Sequence, residues 1–408
     1  MSRRHLELAR QGPILVFKDL GSKNGTFLNG NRIDHSALAV GDVLRVGHCV
    51  GVVCEFGGDE RPAPSFAELN PGLQGGATLS SLLEPARRAA RSMLPILILG
   101  ETGSGKECVG RAIHAWSGRK GPFLAINCAA LPETLAEAEL FGYRRGAFTG
   151  SERSSLGLLR AAEGGTLLLD EAGELSLPIQ AKLLRVLEQR EVVPLGETSP
   201  VPVDVRLLTA GQLSLRTAID RGAFREDLYA RIAGMTVETA PLRKRREDLV
   251  PLFRGFLEGA KGEQIPPMTP RFVEALCLYD WPRNVRELKL TADWVAAVHG
   301  GEAVLRLSHL PECILTAYRQ KLASAPSTGF KSRHEQDLHR LTATLKNTGG
   351  NLKAAAAALG MSRARAYRLL GGRSVEEVAL SADDAAADGS LSSREKPGRI
   401  VATGPIEI

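Results

Sequence analysis

The sequence predicts a multi-domain protein: an α/β P-loop core preceded by a small β-sandwich and followed by all-α segments. Three observations carry that prediction. Residues 95–107, Pro-Ile-Leu-Ile-Leu-Gly-Glu-Thr-Gly-Ser-Gly-Lys-Glu, run from a short apolar strand into a glycine-rich turn and then into a helix carrying Val109, Ala112 and Ile113. A second apolar run, Thr166–Leu169, ends in the acidic pair Asp170-Glu171, as a buried parallel strand delivers side chains to a ligand crevice. Short apolar segments cut by Gly, Asn and Asp turns fill residues 5–56, whereas residues 335–370 hold three helical signals with a short glycine turn between the last two.

Size and composition agree. The chain has 408 residues, 43% hydrophobic and 24% charged, enough for two or three globular units. It contains no apolar run of about 18 residues, and Met1-Ser2-Arg3-Arg4-His5 lacks the apolar region of a signal peptide, so no membrane association and a cytoplasmic location are expected. Six cysteines (Cys49, Cys54, Cys108, Cys128, Cys277, Cys313) form no CxxC pair and have no His at finger spacing, which argues for reduced thiols rather than disulfides or zinc. The formal charge of +6 is compatible with nucleic acid.

In order along the chain, Ile14–Phe17, Thr26–Leu28, Val43–Val46 and Val50–Phe56 read as strands, and Asn-Gly twice in seven residues (Asn24-Gly25, Asn29-Gly30) marks tight turns. Residues 57–78, with Gly57-Gly58, Pro62, Pro64, Pro71 and Gly75-Gly76, read as a linker. In the P-loop, Gly100, Gly103 and Gly105 let backbone N–H groups close around phosphate, with Glu101, Thr102 and Ser104 completing the turn and Lys106 reaching the β- and γ-phosphates of ATP. Glu107 stands where a Ser or Thr usually touches Mg²⁺, so the metal must be held mainly from elsewhere. Asp170 suits the metal or its bound water, and Glu171 suits orienting and deprotonating the attacking water. Gly146-Ala147-Phe148-Thr149-Gly150 is a glycine-bounded loop that presents Phe148 and Thr149 outward.

After a linker at 316–333, the helical signals are Glu335–Leu345, Leu352–Leu359 behind Asn351, and Arg363–Leu370 behind Ser362, with Gly360-Met361-Ser362 as the turn. Between Lys331 and Arg373 nine Lys or Arg stand against two acids, a local excess of seven. On the last helix Arg363, Arg365 and Arg368 share the outward side and are the candidate DNA contacts. Residues 373–408, rich in Ala, Gly, Ser and Asp, suggest a disordered tail.

These motifs carry resemblances. Ser2-Arg3-Arg4-His5 followed by Gly21-Ser22-Lys23-Asn24-Gly25-Thr26-Phe27-Leu28-Asn29-Gly30 resembles a forkhead-associated (FHA) domain, a module that binds phosphothreonine peptides. The resemblance covers residues 1–56 and implies that Ser2, Arg3 and Asn24 face the phosphopeptide while His5 is structural. Such a domain has further strands and a phosphate-gripping Arg upstream of its SxxH, so the expectation is an N-terminally incomplete sandwich, either a start placed too late or a remnant.

Glu139-Leu140-Phe141-Gly142 with Gly146–Gly150, together with the P-loop, Ile126–Leu131 and Gly165–Glu171, resembles the AAA+ ATPase domain of bacterial enhancer-binding proteins, activators of sigma-54 RNA polymerase. The resemblance implies an ATPase core over 79–245 and a helical lid over 246–315. It implies that the Gly146–Gly150 loop touches sigma-54, that Arg225 and Arg231 enter a neighbour's site in a homo-oligomeric ring, a hexamer, and that Arg286 of Trp281–Leu288 senses nucleotide. Asn127 would pair with Glu171 and withhold it. Gly211-Gln212 replaces the family's Thr-Asn, and Ser151 its small Ala. Residues 334–372 resemble a Fis-type helix-turn-helix, which implies enhancer DNA as a partner. Two other readings stay open: a AAA+ chaperone for another protein, and a DNA-binding regulator with a non-productive ATPase.

Overall fold

The computed structural model describes residues 4–12, 14–56, 66–148, 151–212, 215–262 and 265–324, together with 341, 344, 352, 356, 359 and 399–402. In chain order the elements are β1 (Leu6–Gln11), β2 (Ile14–Asp19), β3 (Thr26–Leu28), β4 (Asn31–Arg32), β5 (His35–Leu38), β6 (Val43–Val46), β7 (Cys49–Phe56), β8 (Ala67–Asn70), β9 (Leu73–Gly75) and α1 (Ala77–Ala89). The P-loop region follows with β10 (Ile96–Gly100), α2 (Lys106–Ser117), β11 (Phe123–Asn127), α3 (Glu133–Phe141), α4 (Leu158–Ala161), β12 (Thr166–Asp170) and α5 (Leu177–Gln189). The remainder is β13 (Glu191–Val192), β14 (Val201–Pro202), β15 (Arg206–Gly211), α6 (Leu215–Asp220), α7 (Glu226–Ile232), β16 (Met235–Thr239), α8 (Leu249–Lys261), α9 (Pro270–Leu278), α10 (Asn284–His299), α11 (Glu312–Ser324) and β17 (Arg399–Ala402).

The chain divides into two compact units, one of residues 60–266 and 280–303, the other of 1–59, 267–279 and 304–408. In the first, five parallel strands lie in the order β11-β12-β15-β10-β16. The P-loop strand β10 and the acid-bearing β12 are thus separated by β15, and all five strands end at the same edge of the sheet. Period-two alternation explains both faces. Ile96, Ile98, Leu168, Leu208 and Val237 pack against Leu79, Leu83, Val109, Ala112 and Ile113 of α1 and α2. Leu97, Leu167, Leu169 and Leu207 pack on the opposite side with Leu140, Leu183, Leu228 and Ile232 of α3, α5 and α7. Helices α8 and α10 pack on each other, α10 through Leu288, Thr291, Ala292 and Val295, the i, i+3, i+4, i+7 set of one face.

The other unit holds two antiparallel sheets, β1-β2-β5 and β17-β7-β6-β3-β4, around Phe17, Leu28, Leu38 and Val53. Helices α9 and α11 belong to this unit, so the expected lid over 246–315 is split between the two. Glu274 of α9, fully buried, meets Arg45 of β6 at 3.0 Å and accepts a 2.8 Å hydrogen bond from the Tyr318 hydroxyl of α11. No residue pattern announced that ion pair, because Arg45 alternates out of one element and Glu274 out of another.

Two expectations change. The expected linker 57–78 contains the β8–β9 hairpin and the first turn of α1, whose Leu73 and Ala77 are buried. Four residues of the expected disordered tail form β17, antiparallel to β7 with Ile400 opposite Glu55. Arg363, Arg365 and Arg368 lie outside the described residues, and of the first two expected C-terminal helices Leu341, Thr344, Leu352 and Ala356 are described as helical and buried.

Candidate functional site

The P-loop glycines are there for backbone geometry. Gly103 and Gly105 have φ of +76° and +101°, a region L side chains rarely adopt, and Gly105 opens α2 as its N-cap. At Gly100 a Cβ would lie 1.9 Å from the Thr239 hydroxyl, which itself meets Ser104 Oγ at 2.7 Å. Lys106, only 6% exposed, donates to the Gly100 carbonyl at 3.2 Å and to Glu171 Oε1 at 3.3 Å. The lysine and the acid expected to activate water are therefore paired with each other.

Glu171 sits at φ +51°, a strained conformation for a residue with a side chain. Its own amide donates to Asp170 Oδ1 at 3.0 Å, which orients the Asp170 carboxylate at the strand end. Burial pushes the Asp170 carboxyl up, against the pull of the Lys106 ammonium. Asn127 ends β11 directly opposite Asp170, but its Oδ1 accepts from Ala129 N at 2.9 Å and caps the following turn. The expected Asn127–Glu171 pair is not formed: Asn127 Oδ1 serves Ala129 N, and Glu171 is paired with Lys106 instead. Glu107 lies along the surface of α2, its Oε1 2.7 Å from Arg111, in an i,i+4 pair that turns it along its own helix.

The P-loop is also clasped by residues the sequence reading left out. Glu101 accepts from Arg243 at 2.8 and 2.5 Å and from Asn284 Nδ2 at 3.2 Å. Those Arg243 bonds, helped by Asn284 and opposed by burial, hold the Glu101 carboxyl at about 2. Asn284, fully buried, also donates to Thr102 O and accepts from Leu242 N at 2.8 Å, while Val285 N reaches Gly103 O at 3.0 Å. Arg245 Nη2 donates to Ser104 O at 2.9 Å. Asn284 has φ +53°, which Asn tolerates better than other side chains. Arg286 is exposed, with its Cβ facing Gly103. Thr102 and Asp170 complete a cradle whose backbone amides and lysine suit a triphosphate, and whose carboxylate suits a hard cation.

The remaining candidates are placed as follows. Arg225 is exposed and held bidentate by Asp227 at 3.0 and 2.6 Å; Arg231, near the end of α7, is also exposed. In the 146–150 loop, Gly146 has φ +83° and Phe148 meets the Tyr143 ring edge-on at 5.0 Å. Ser151 Oγ accepts from Phe148 N at 3.1 Å and donates to its carbonyl at 2.6 Å, so the hydroxyl adds two bonds that an Ala cannot make. Thr149 and Gly150 lie outside the described residues. So do Ser2 and Arg3; Asn24 is exposed, and His5, buried, meets Gly25 O at 3.2 Å. Burial works on Asp19 in the opposite sense, yet hydrogen bonds from Thr26 and Ser22 hold its carboxyl at about 2. These bonds explain why Ser22 and Thr26 occur in the turn motif.

Together the sheet order, the glycine cradle and the two acids at the strand edge define a P-loop nucleotide-binding domain with a helical clasp. Family models agree in detail: a sigma-54 interaction domain matches residues 74–238, an AAA+ ATPase lid domain 243–326 and an FHA domain 1–47. Transcriptional regulatory protein ZraR of Klebsiella oxytoca is 38% identical over 311 residues, 74% of this chain and 68% of ZraR. The chain belongs to the sigma-54-dependent transcriptional regulators. The sigma-54-dependent activator SfnR of Pseudomonas putida is 48% identical over 213 residues, 51% of this chain and 58% of SfnR, so the match spans little more than half of that relative's length. NtrX from Brucella abortus, solved in complex with ATP, superposes with a TM-score of 0.52 at 31% identity, covering 72% of this chain and 66% of NtrX. No helix among the described residues is long and apolar enough to cross a membrane.

Proposed function

We propose that the chain is a cytoplasmic, ATP-hydrolysing transcriptional activator that assembles as a homo-oligomeric ring, a hexamer, and remodels the closed complex of sigma-54 RNA polymerase. In this reading residues 1–56 bind a phosphothreonine partner through Ser2, Arg3 and Asn24. Residues 79–245 form the motor and 246–315 its lid. Residues 334–372 bind enhancer DNA through Arg363, Arg365 and Arg368, and the Gly146–Gly150 loop, with Phe148 and Thr149 at its tip, contacts sigma-54.

The observation that carries the reading is the Lys106–Glu171 contact at 3.3 Å beneath the glycine cradle. Phosphate oxygens bind Lys106 in competition with Glu171, so an arriving triphosphate releases Glu171 to orient and deprotonate water. Asp170, beside it, would hold Mg²⁺, which supplies charge neutralisation at the phosphates. Asn127, whose Oδ1 accepts from Ala129 N, keeps its Nδ2 as a donor that can take up Glu171, which makes it a restraint on the base. Arg225 and Arg231 act in trans on the γ-phosphate, and Arg286 reports nucleotide to α10.

The test is ATP turnover of the full chain against protein concentration, beside Glu171→Gln. Specific activity should rise with concentration and vanish in the variant. Nucleotide binding with no turnover at any concentration would reject the motor and favour a DNA-binding regulator with a silent site. Turnover that responds to neither sigma-54 nor DNA would favour a remodelling chaperone.

A further inference from the structure

Helix α10 carries a second apolar stripe that its packing leaves uncovered. Leu290, Trp294 and Val298 are 60, 40 and 56% exposed, four residues apart and so in one line. The face buried against α8 is the separate set from Leu288 to Val295. Exposed Leu or Val alone is ordinary, but a continuous ridge centred on a tryptophan marks a contact surface.

The same unit carries a cavity of about 360 Å³ that matches it. Its walls are apolar, among them Leu187 and Val203, and Met93 and Leu94 at 40 and 38% exposure stand at its mouth. The charged groups lining it are two guanidinium side chains, Arg190 and Arg231. Such a lining favours an aromatic occupant, which fills apolar volume and offers its ring face to a cation.

We propose that the Leu290-Trp294-Val298 ridge of one copy of this chain seats in the Arg231-lined cavity of the next copy. The inference rests on the reading that Arg231 acts in trans. If Arg231 reaches a neighbour's nucleotide, the cavity it lines comes against whatever frames that nucleotide. In the neighbour that frame includes the start of α10, where Val285 N bonds Gly103 O and Arg286 faces the P-loop. Leu290 and Trp294 lie one and two turns beyond Arg286, about 6 and 12 Å along the helix axis. Arg231 and the ridge therefore converge from two copies on one place.

The test uses the full chain. Trp294→Glu changes an exposed position on a helix, so thermal stability and nucleotide affinity of dilute protein should stay as in the wild type. The concentration at which copies associate, read by sedimentation and by ATP turnover, should rise at least ten-fold, about 1.4 kcal/mol of lost association energy. In a Cys108→Ser, Cys313→Ser background, mixing a Trp294→Cys copy with a Leu94→Cys copy should give a cross-linked heterodimer with a short bis-maleimide, and neither copy alone should. Wild-type association by Trp294→Glu, or no cross-link above the single-copy controls, overturns the proposal and leaves the cavity to a small ligand, for which its size is also suitable. A parallel mixture of Arg231→Ala with Glu171→Gln separates the two ideas. If it restores turnover while the ridge tests fail, the ridge falls alone; if it restores none, the trans reading falls and the ridge with it.

Discussion

Replacing Asn284 by Ala removes the residue that joins the P-loop to the segment leading into α10. The amide of Leu242 loses its 2.8 Å acceptor inside the protein, and stranding a buried donor costs about 1–3 kcal/mol. The bond to the Glu101 carboxylate goes with it, a charge-assisted contact worth about 1.5–3 kcal/mol. Alanine must also hold φ near +53°, at a further cost of about 1–2 kcal/mol. These effects share atoms and overlap, so the net loss should be about 3–5 kcal/mol rather than their sum. For a domain of this size that lowers the melting temperature by about 10 °C. Differential scanning calorimetry with and without ATP reads it, and ATP should recover part of the loss by binding the same backbone. Asn284→Asp separates the causes: it keeps an acceptor for Leu242 N and tolerates the backbone, but sets a second carboxylate beside Glu101. A fall of less than about 3 °C in Asn284→Ala, the effect of an ordinary surface contact, would refute the clasp as a structural unit.

Glu171→Gln should keep or raise nucleotide affinity, since it removes the carboxylate that competes for Lys106, and lower turnover by about 10²–10⁴-fold, as loss of a general base does, whereas Lys106→Ala should lose binding itself; equal binding by both variants would sink the roles assigned to them. The depressed Glu101 pKa makes the clasp stabilising above pH 4.5 and progressively lost as pH falls toward about 2. The melting-temperature difference between wild type and Arg243→Ala should therefore be constant near neutrality and begin to close below pH 4.5; a difference that persists unchanged to pH 3 contradicts the assignment. Arg45→Ala leaves the fully buried Glu274 carboxylate unpaired and should cost about 3–5 kcal/mol in chemical denaturation, while the double variant Arg45→Met, Glu274→Leu should come much closer to the wild type. Equal losses in both would mean that packing, not charge, governs the contact.

What the sequence discloses and what it hides follow the range of the interactions. The P-loop, the acid pair and the alternating buried strands are local patterns: each needs only neighbours within about a dozen residues, so composition and spacing reveal them. The Glu101–Arg243–Asn284 clasp spans 183 positions between Glu101 and Asn284, and no period in the chain links them. The same holds for Arg45 with Glu274, where each residue alone reads as an ordinary surface charge. Residues 67–75 hide for a different reason: Pro71 and Gly72 are turn residues, and a hairpin turn has the composition of a linker, although Leu73 is buried. Asn127 shows the limit of transferring a role. Its position at the edge of β11 is as expected, yet its Oδ1 caps the next turn through Ala129 N and Glu171 finds its partner in Lys106, a residue sixty-five positions away from it in the chain.

The two contacts at the core of the site differ in kind, and under the proposed function their difference would give the nucleotide its leverage. The clasp around Glu101 uses groups that do not touch Lys106, so it can hold the lid segment on the P-loop while the lysine changes partners. The Lys106–Glu171 pair, by contrast, would compete directly with a bound phosphate: with side chains only 5 and 19% exposed, neither group finds full hydration when unpaired. Loss of the γ-phosphate should return Lys106 to Glu171 without unfolding the clasp. Strain at Glu171, whose φ of +51° is held by the bond from its own amide to Asp170, limits where its carboxylate can go once released. In the proposed motor a base confined in this way would move between two partners, Lys106 and water, and the phosphate count would decide which.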